Sequence, residues 1–197
     1  MAWRPSKEFL AHYITFKPKV LSDHICDTLV ELFDSHPELQ QEQTQGGGHF
    51  RFMQTDVSGN SHSEPWKTPH DETFEVLRRA ARQYKEDIRF DDTSMIFPDR
   101  YGFEKLRINR TMNNGKDGFG NHVDVGDYAS AKRFVTMLFY LTDVEDGGDA
   151  AFPPLGFSVK PEKGSLLIFP SNFVFLHCGL KPLSSPKYIM TSFLHYL

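Results

Sequence analysis

Arg133-Phe134-Val135-Thr136-Met137-Leu138-Phe139-Tyr140-Leu141-Thr142 is an aromatic and β-branched run of strand length, too short for a helix of the usual span. It stands near the middle of a segment whose texture is β-rich from about residue 104 to the C-terminus. Strands are predicted at 104–112, 119–125, 133–144, 150–153, 156–160, 165–169, 173–178 and 187–196, punctuated at Gly147-Gly148, Pro153-Pro154, Pro161, Gly164, Pro170 and Pro182. Upstream, Pro18-Lys19-Val20-Leu21 leads into a helix capped by Ser22, with Ile25, Leu29, Leu32 and Phe33 in one stripe. A second helix opens at Thr68-Pro69-His70-Asp71 and sets Phe74, Leu77, Ala81, Tyr84 and Ile88 on one face. Between them, residues 40–66 begin with the polar Gln40-Gln41-Glu42-Gln43-Thr44-Gln45-Gly46-Gly47-Gly48 and read as a functional loop or a disordered insertion. Two helices followed by about eight strands imply a mainly β fold with supporting α-helices, an antiparallel sandwich or jelly roll braced on one sheet.

The chain has 197 residues, enough for one domain with a substantial core, and no internal repeat marks a second. Eighteen phenylalanines against two tryptophans suggest a Phe-rich interior. A net charge of −4 without any basic run argues against non-specific nucleic-acid binding. The start, Met1-Ala2-Trp3-Arg4-Pro5-Ser6, lacks a signal-like apolar stretch, and no run reaches membrane-spanning length. Cys26 and Cys178 lie far apart, so a reduced, cytoplasmic setting is expected.

His122-Val123-Asp124 carries the chemistry. A strand of period two points His122 and Asp124 to the same side. One imidazole from a neighbouring strand would complete the two-histidine, one-carboxylate facial triad of non-haem Fe(II) oxygenases. Against this stands a plainer reading, a turn aspartate bonding locally beside an ordinary histidine. Two residues favour the metal. His177 ends the apolar run Phe173-Val174-Phe175-Leu176, where an imidazole needs a reason to be buried. Lys187 opens another apolar strand, where a cation needs an anion such as an organic acid held at a metal, unless it snorkels to water. Of the nine histidines, His12, His24, His36, His62, His70 and His195 lack a partner at ligand spacing, and His49 lies ambiguously in the glycine-rich segment.

Residues 104–197 resemble the 2-oxoglutarate/Fe(II)-dependent dioxygenases, most closely their prolyl 4-hydroxylase-like branch. The resemblance rests on Asn121-His122-Val123-Asp124, Arg133 to Thr142, Gly147-Gly148-Asp149-Ala150-Ala151-Phe152-Pro153, Lys160-Pro161-Glu162-Lys163-Gly164-Ser165-Leu166-Leu167-Ile168-Phe169, His177-Cys178-Gly179 and Lys187-Tyr188, in that order. It implies a double-stranded β-helix (a cupin-like jelly roll) over 104–197, with residues 1–103 as helical support and lid loop in a single oxygenase domain, 1–197. It implies Fe(II) held by His122, Asp124 and His177, and 2-oxoglutarate anchored by Lys187 with the Tyr140 hydroxyl beside it. O2 and 2-oxoglutarate would be consumed and ascorbate would stimulate. Related halogenases carry a small residue in place of Asp124, so hydroxylation is implied.

Two stretches depart from the branch. Its tyrosine shortly after the arginine preceding the metal motif is absent, because Arg110 is followed by Thr111-Met112-Asn113-Asn114; Thr111 or Asn113 could stand in. A Gly-Gly-Glu-Thr-like stretch appears as Gly148-Asp149-Ala150, without the hydroxyl. The segment Gly46 to Trp66, with His49, Phe50, Arg51, Phe52 and Gln54, is expected to fold over the mouth, and Asp127-Tyr128 and Arg110 to line its rim. The expected function is hydroxylation of a C–H bond of a prolyl residue in a peptide or protein. The alternatives are a small-molecule or free amino-acid hydroxylase, a non-catalytic cupin-like binding module, and a zinc hydrolase, which would leave Lys187 without a role.

Overall fold

A computed structural model describes residues 7–88 and 97–197; the reading of the first six residues lies outside these. The helices are α1 (Lys7–Ala11), α2 (Asp23–Ser35), α3 (Val57–Asn60) and α4 (Lys67–Asp87). The strands are β1 (Thr15–Lys17), β2 (Gln41–Gln45), β3 (Phe50–Asp56), β4 (Tyr101–Phe103), β5 (Arg107–Thr111), β6 (Phe119–His122), β7 (Arg133–Tyr140), β8 (Ala150–Phe152), β9 (Phe157–Val159), β10 (Leu166–Pro170), β11 (His177–Gly179) and β12 (Lys187–Tyr196). An eight-stranded sheet runs β1-β10-β7-β12-β5-β3-β2, with β4 also paired to β12, and a four-stranded sheet runs β6-β11-β8-β9. All pairings are antiparallel, as a jelly roll requires.

Alternation along the central strands divides the interior in two. On β7, Val135, Met137 and Phe139 face the helices, while Leu138 and Tyr140 face the second sheet. On β12, Tyr188, Met190 and Leu194 join the helix-side core and Ile189 the inter-sheet core. Helix α2 closes the first layer with Ile25, Leu29, Leu32 and Phe33, and α4 with Leu77, Ala81 and Tyr84. The inter-sheet layer is thinner and opens at one end, where the polar residues of the site gather.

Several sequence-based boundaries shift, each for a local reason. Ser22 caps α2 as expected, accepting the Ile25 N–H at 3.2 Å. Helix α4 begins at Lys67 instead of after Thr68, whose N–H and hydroxyl are both taken by Glu64, at 3.3 and 2.6 Å. The strand expected over 104–112 starts only at Arg107. The one expected over 173–178 is a 3-10 turn at Phe173–Phe175, capped by Asn172, followed by β11. The largest correction falls on residues 40–66. They form a β2–β3 hairpin and helix α3, with Gln45 facing Phe50 across a turn whose Gly46, Gly47 and Gly48 all take positive φ. Only glycine adopts that conformation three times running without strain. β3 then pairs with β5, so the segment extends the large sheet as an edge hairpin.

Candidate active site

The two sheets meet around a cavity of about 510 Å³, and the residues singled out from sequence line it: His122, Asp124, Tyr140, His177 and Lys187. β6 ends at His122, so Asp124 sits in the bend beyond it and not on the strand that period two assumed. It still converges with the imidazoles, because His122 and His177 face each other in the β6–β11 register. Asp124 Oδ1 lies 3.6 Å from His122 Nε2, and Oδ2 lies 3.7 Å from His177 Nε2. A donor atom from each of the three lies within 4.8 Å of the others.

The hydrogen bonds fix which atoms are free to bind. His122 Nδ1 donates to the Gly120 carbonyl at 2.8 Å and His177 Nδ1 to the Phe175 carbonyl at 3.0 Å. Both Nε2 lone pairs are thereby turned toward Asp124, the arrangement that metal-binding imidazoles require. Burial lowers the His177 pKa, against the pull of Asp124, and keeps its imidazole neutral. Asp124 Oδ2 accepts the Thr136 hydroxyl at 2.6 Å, and the Asp124 carbonyl accepts from Arg133 Nη1 at 3.1 Å. Arg133 is itself clamped by Glu104, at 2.6 and 2.9 Å. Burial alone would raise the Glu104 carboxyl, but these bonds hold it below its ordinary value. The donor set therefore fits a divalent ion on structural grounds: two imidazoles with their Nε2 atoms turned inward and one oriented carboxylate converge.

Thr136 was not singled out from sequence, although it shares the parity of Tyr140 on β7. Thr136→Val should weaken Fe(II) binding about 10- to 100-fold by freeing the carboxylate to rotate. Metal titration of the variant reads this directly, and an unchanged affinity would remove Thr136 from the site.

Deeper in the same cavity lies the cationic end. Lys187 is 3% exposed, and its Nζ donates to the Gly148 carbonyl at 2.7 Å. Burial brings its pKa down to about 8, opposed by the nearby Asp149. Room for this side chain comes from two glycines. A Cβ at Gly148 would stand 3.4 Å from Lys187 Cδ, and one at Gly179 would stand 3.4 Å from Nζ. Tyr140 is fully buried, and burial raises its pKa, so its hydroxyl stays protonated. Among the described residues that hydroxyl has no hydrogen-bond partner, and neither has the buried Oγ1 of Thr111, which sits opposite Lys187 in the β5–β12 register. A buried unpaired hydroxyl costs about 1–3 kcal/mol, and an anion beside Lys187 would satisfy both. Of the two stand-ins for the missing tyrosine, Asn113 is spent on the Ser184 carbonyl at 3.4 Å and Thr111 is uncommitted. Ala150, which replaces the expected small hydroxyl residue, lines the wall.

Amides furnish the outer wall. Gln43, Gln45 and Gln54 from the hairpin and Asn109 from β5 line the cavity, with the Gln54 amide donating to Asn109 Oδ1 at 2.8 Å. Phe52 packs on Phe119 with ring centroids 4.3 Å apart. The other rim expectations fare differently. Arg110 faces the helices, ion-paired with Asp34 at 3.1 Å and stacked on Phe33, so it is not a rim residue. Asp127 closes a local turn through Ser130, and Tyr128 is exposed.

Residues 106–195, a little under half of the chain, match the sequence model of the 2OG-Fe(II) oxygenase superfamily. The chain is also 33% identical over 76 residues to the prolyl 4-hydroxylase subunit alpha-1 of Gallus gallus, a match spanning 35% of this chain and 15% of that protein. Two solved structures share the fold at a TM-score of 0.67. The viral collagen prolyl hydroxylase of Paramecium Bursaria Chlorella virus-1 is 22% identical, with 100% of this chain and 96% of that one covered. A prolyl hydroxylase in complex with a hypoxia inducible factor oxygen degradation domain peptide fragment, from Trichoplax adhaerens, is 16% identical, with 96% and 88% covered. Among the described residues no helix is long and apolar enough to cross a membrane.

Proposed function

We propose that this chain is a single oxygenase domain that hydroxylates prolyl residues of a peptide or protein, using Fe(II), 2-oxoglutarate and O2 in the cytoplasm. The observation that carries the reading is one cavity lined by a metal donor set, a buried lysine and the unpaired Tyr140 hydroxyl, with the unpaired Thr111 hydroxyl opposite that lysine in the strand register. His122, Asp124 and His177 would hold the iron. Lys187, Tyr140 and Thr111 would bind the distal carboxylate of 2-oxoglutarate: the ammonium supplies charge and the two hydroxyls donate. When bound, the iron supplies oxidation, one oxygen atom of O2 entering a substrate C–H bond while 2-oxoglutarate becomes succinate and CO2. The protein's share is orientation and exclusion of water. Thr136 and Arg133 steady the Asp124 carboxylate and backbone, and Phe52 and Phe119 shield the entrance.

A peptide suits the outer wall better than a free amino acid, which needs opposed charges for its ammonium and carboxylate. Here the lining cations Arg107 and Arg133 are both engaged by Glu104, at 3.6 and 2.6 Å, and the other outer lining groups are uncharged amides, threonine hydroxyls and aromatic rings. The hydroxylase neighbours named above support the same choice. Succinate release should therefore depend on proline-containing peptides in the presence of iron, ascorbate and 2-oxoglutarate, with mass spectrometry locating a 16 Da gain on proline. Turnover with free proline but no peptide would overturn the substrate assignment.

A further inference from the structure

Beside the hairpin turn lies a second cavity, of about 420 Å³, lined by Gly48, His49, Arg51, Gly115, Lys116 and Lys181. Three chain segments bring these cations together on a molecule whose net charge is −4. Lys181 is held in place by donating to the Gly115 carbonyl at 2.5 Å, and Arg51 by its bond to the buried Asp117 at 3.3 Å. Asp117 also accepts from the Met112 N–H and the Asn114 amide and so anchors the loop, while its charge faces Arg51 and leaves Lys116 and Lys181 as the cations of the cluster. Among the described residues neither Lys116 nor Lys181 pairs with a carboxylate; the acids at this corner, Asp117 and Glu42, both face Arg51. The glycines keep the floor open: a Cβ at Gly47, Gly48 or Gly115 would meet nothing within 4 Å.

The cluster adjoins the catalytic cavity. Arg51 and Phe52 are neighbours on β3 whose side chains point to opposite faces, Phe52 lining the iron cavity with Phe119 and Arg51 the basic corner. Lys181 stands two residues beyond Gly179, which lines the same cavity. Gly118 joins the two, since a Cβ there would stand 3.3 Å from Lys181 Cγ and 3.6 Å from the Phe50 ring.

We infer that this basic corner is a docking subsite for an acidic side chain flanking the hydroxylated residue, so the favoured substrates are prolyl peptides with a nearby Asp or Glu. This rests on the peptide reading above. A polyanion such as nucleic acid fits less well, because Glu42 and Asp117 stand within the cluster and the whole molecule is acidic.

The test compares fluorescent proline peptides of one core sequence with paired Glu, Gln or Lys on each flank, bound to the Mn(II)- and 2-oxoglutarate-loaded protein. Anisotropy should rank Glu over Lys by about three- to tenfold on one flank only, and the preference should fade in 0.5 M salt. In K116E/K181E it should reverse, and in K116E alone it should shrink, with circular dichroism checking the fold of both. Equal binding of the three peptides to the wild type, or a preference untouched in both variants, would overturn the subsite. Glu-dependent binding without hydroxylation of any peptide would support the subsite and count against the prolyl substrate alone.

Discussion

Asp124→Ala is expected to lose Fe(II) and to lower 2-oxoglutarate turnover by more than about a hundredfold. The estimate is a lower bound, because disturbing only the outer partners of a metal ligand costs about 10- to 100-fold. Asp124 supplies the charge of the donor set; without it only two imidazoles remain, and a hard divalent ion is held poorly by those alone. The fold should survive. Among the described residues the Asp124 carboxylate pairs with no Lys or Arg side chain, and Thr136, which would lose its acceptor, keeps Ser171 Oγ at 2.9 Å. The metal-free variant should thus melt as cooperatively as metal-free wild type, and only the wild type should gain stability when Mn(II) is added. Asp124→Glu should lie between, since the longer chain keeps the charge but moves it away from Thr136. Equilibrium dialysis with Mn(II) and succinate release measure the two effects separately. Metal retention within tenfold of wild type would show that Asp124 is not a ligand.

How far the site could be read from residues alone depends on whether each signal was local. His122 and Asp124 stand two residues apart, and the inference that they share a side reached the right pair through a strand that in fact ends at His122. His177 and Lys187 were legible because a polar group beside an apolar run demands a partner. Tyr140 was singled out through the family resemblance alone; Thr136 shares its face of β7, so the alternation along that strand could have exposed Thr136 as well. The hairpin was harder. Gln41-Glu42-Gln43-Thr44-Gln45 has low strand propensity and no apolar alternation, since its inner face turns to a wet cavity instead of a core. Its pairing is fixed by β3 and, through β3, by β5, contacts distant in sequence. The same blindness applied to Arg110: its destination on Asp34 and Phe33 depends on α2 packing behind β5, which no spacing within 104–112 reports.

Lys187→Ala should weaken 2-oxoglutarate binding by about 10²- to 10³-fold, the usual consequence of leaving an anion in a buried site without its cation. The Tyr140 and Thr111 hydroxyls would remain as donors but could not replace the charge. Lys187→Arg should restore only part of the affinity. The guanidinium is wider than the ammonium, and the backbone at Gly148 and Gly179 is close enough that even a Cβ there would stand 3.4 Å from the lysine. The wild-type protein should also show a pH signature of its own. Burial sets the Lys187 pKa near 8, so in the cosubstrate-free protein the ammonium is intact below that pH and is lost as pH rises through it. A bound carboxylate favours the protonated form and raises the pKa again. Affinity for 2-oxoglutarate should therefore be flat below about pH 8 and fall above it, by up to tenfold per unit, with one proton taken up on binding in the falling range. Calorimetry of the Mn(II) protein in buffers of different ionisation enthalpy measures that proton. In Lys187→Arg, whose guanidinium stays charged throughout, both the fall and the uptake should vanish; their persistence would assign the titration to another group and leave Lys187 without the role of anchor.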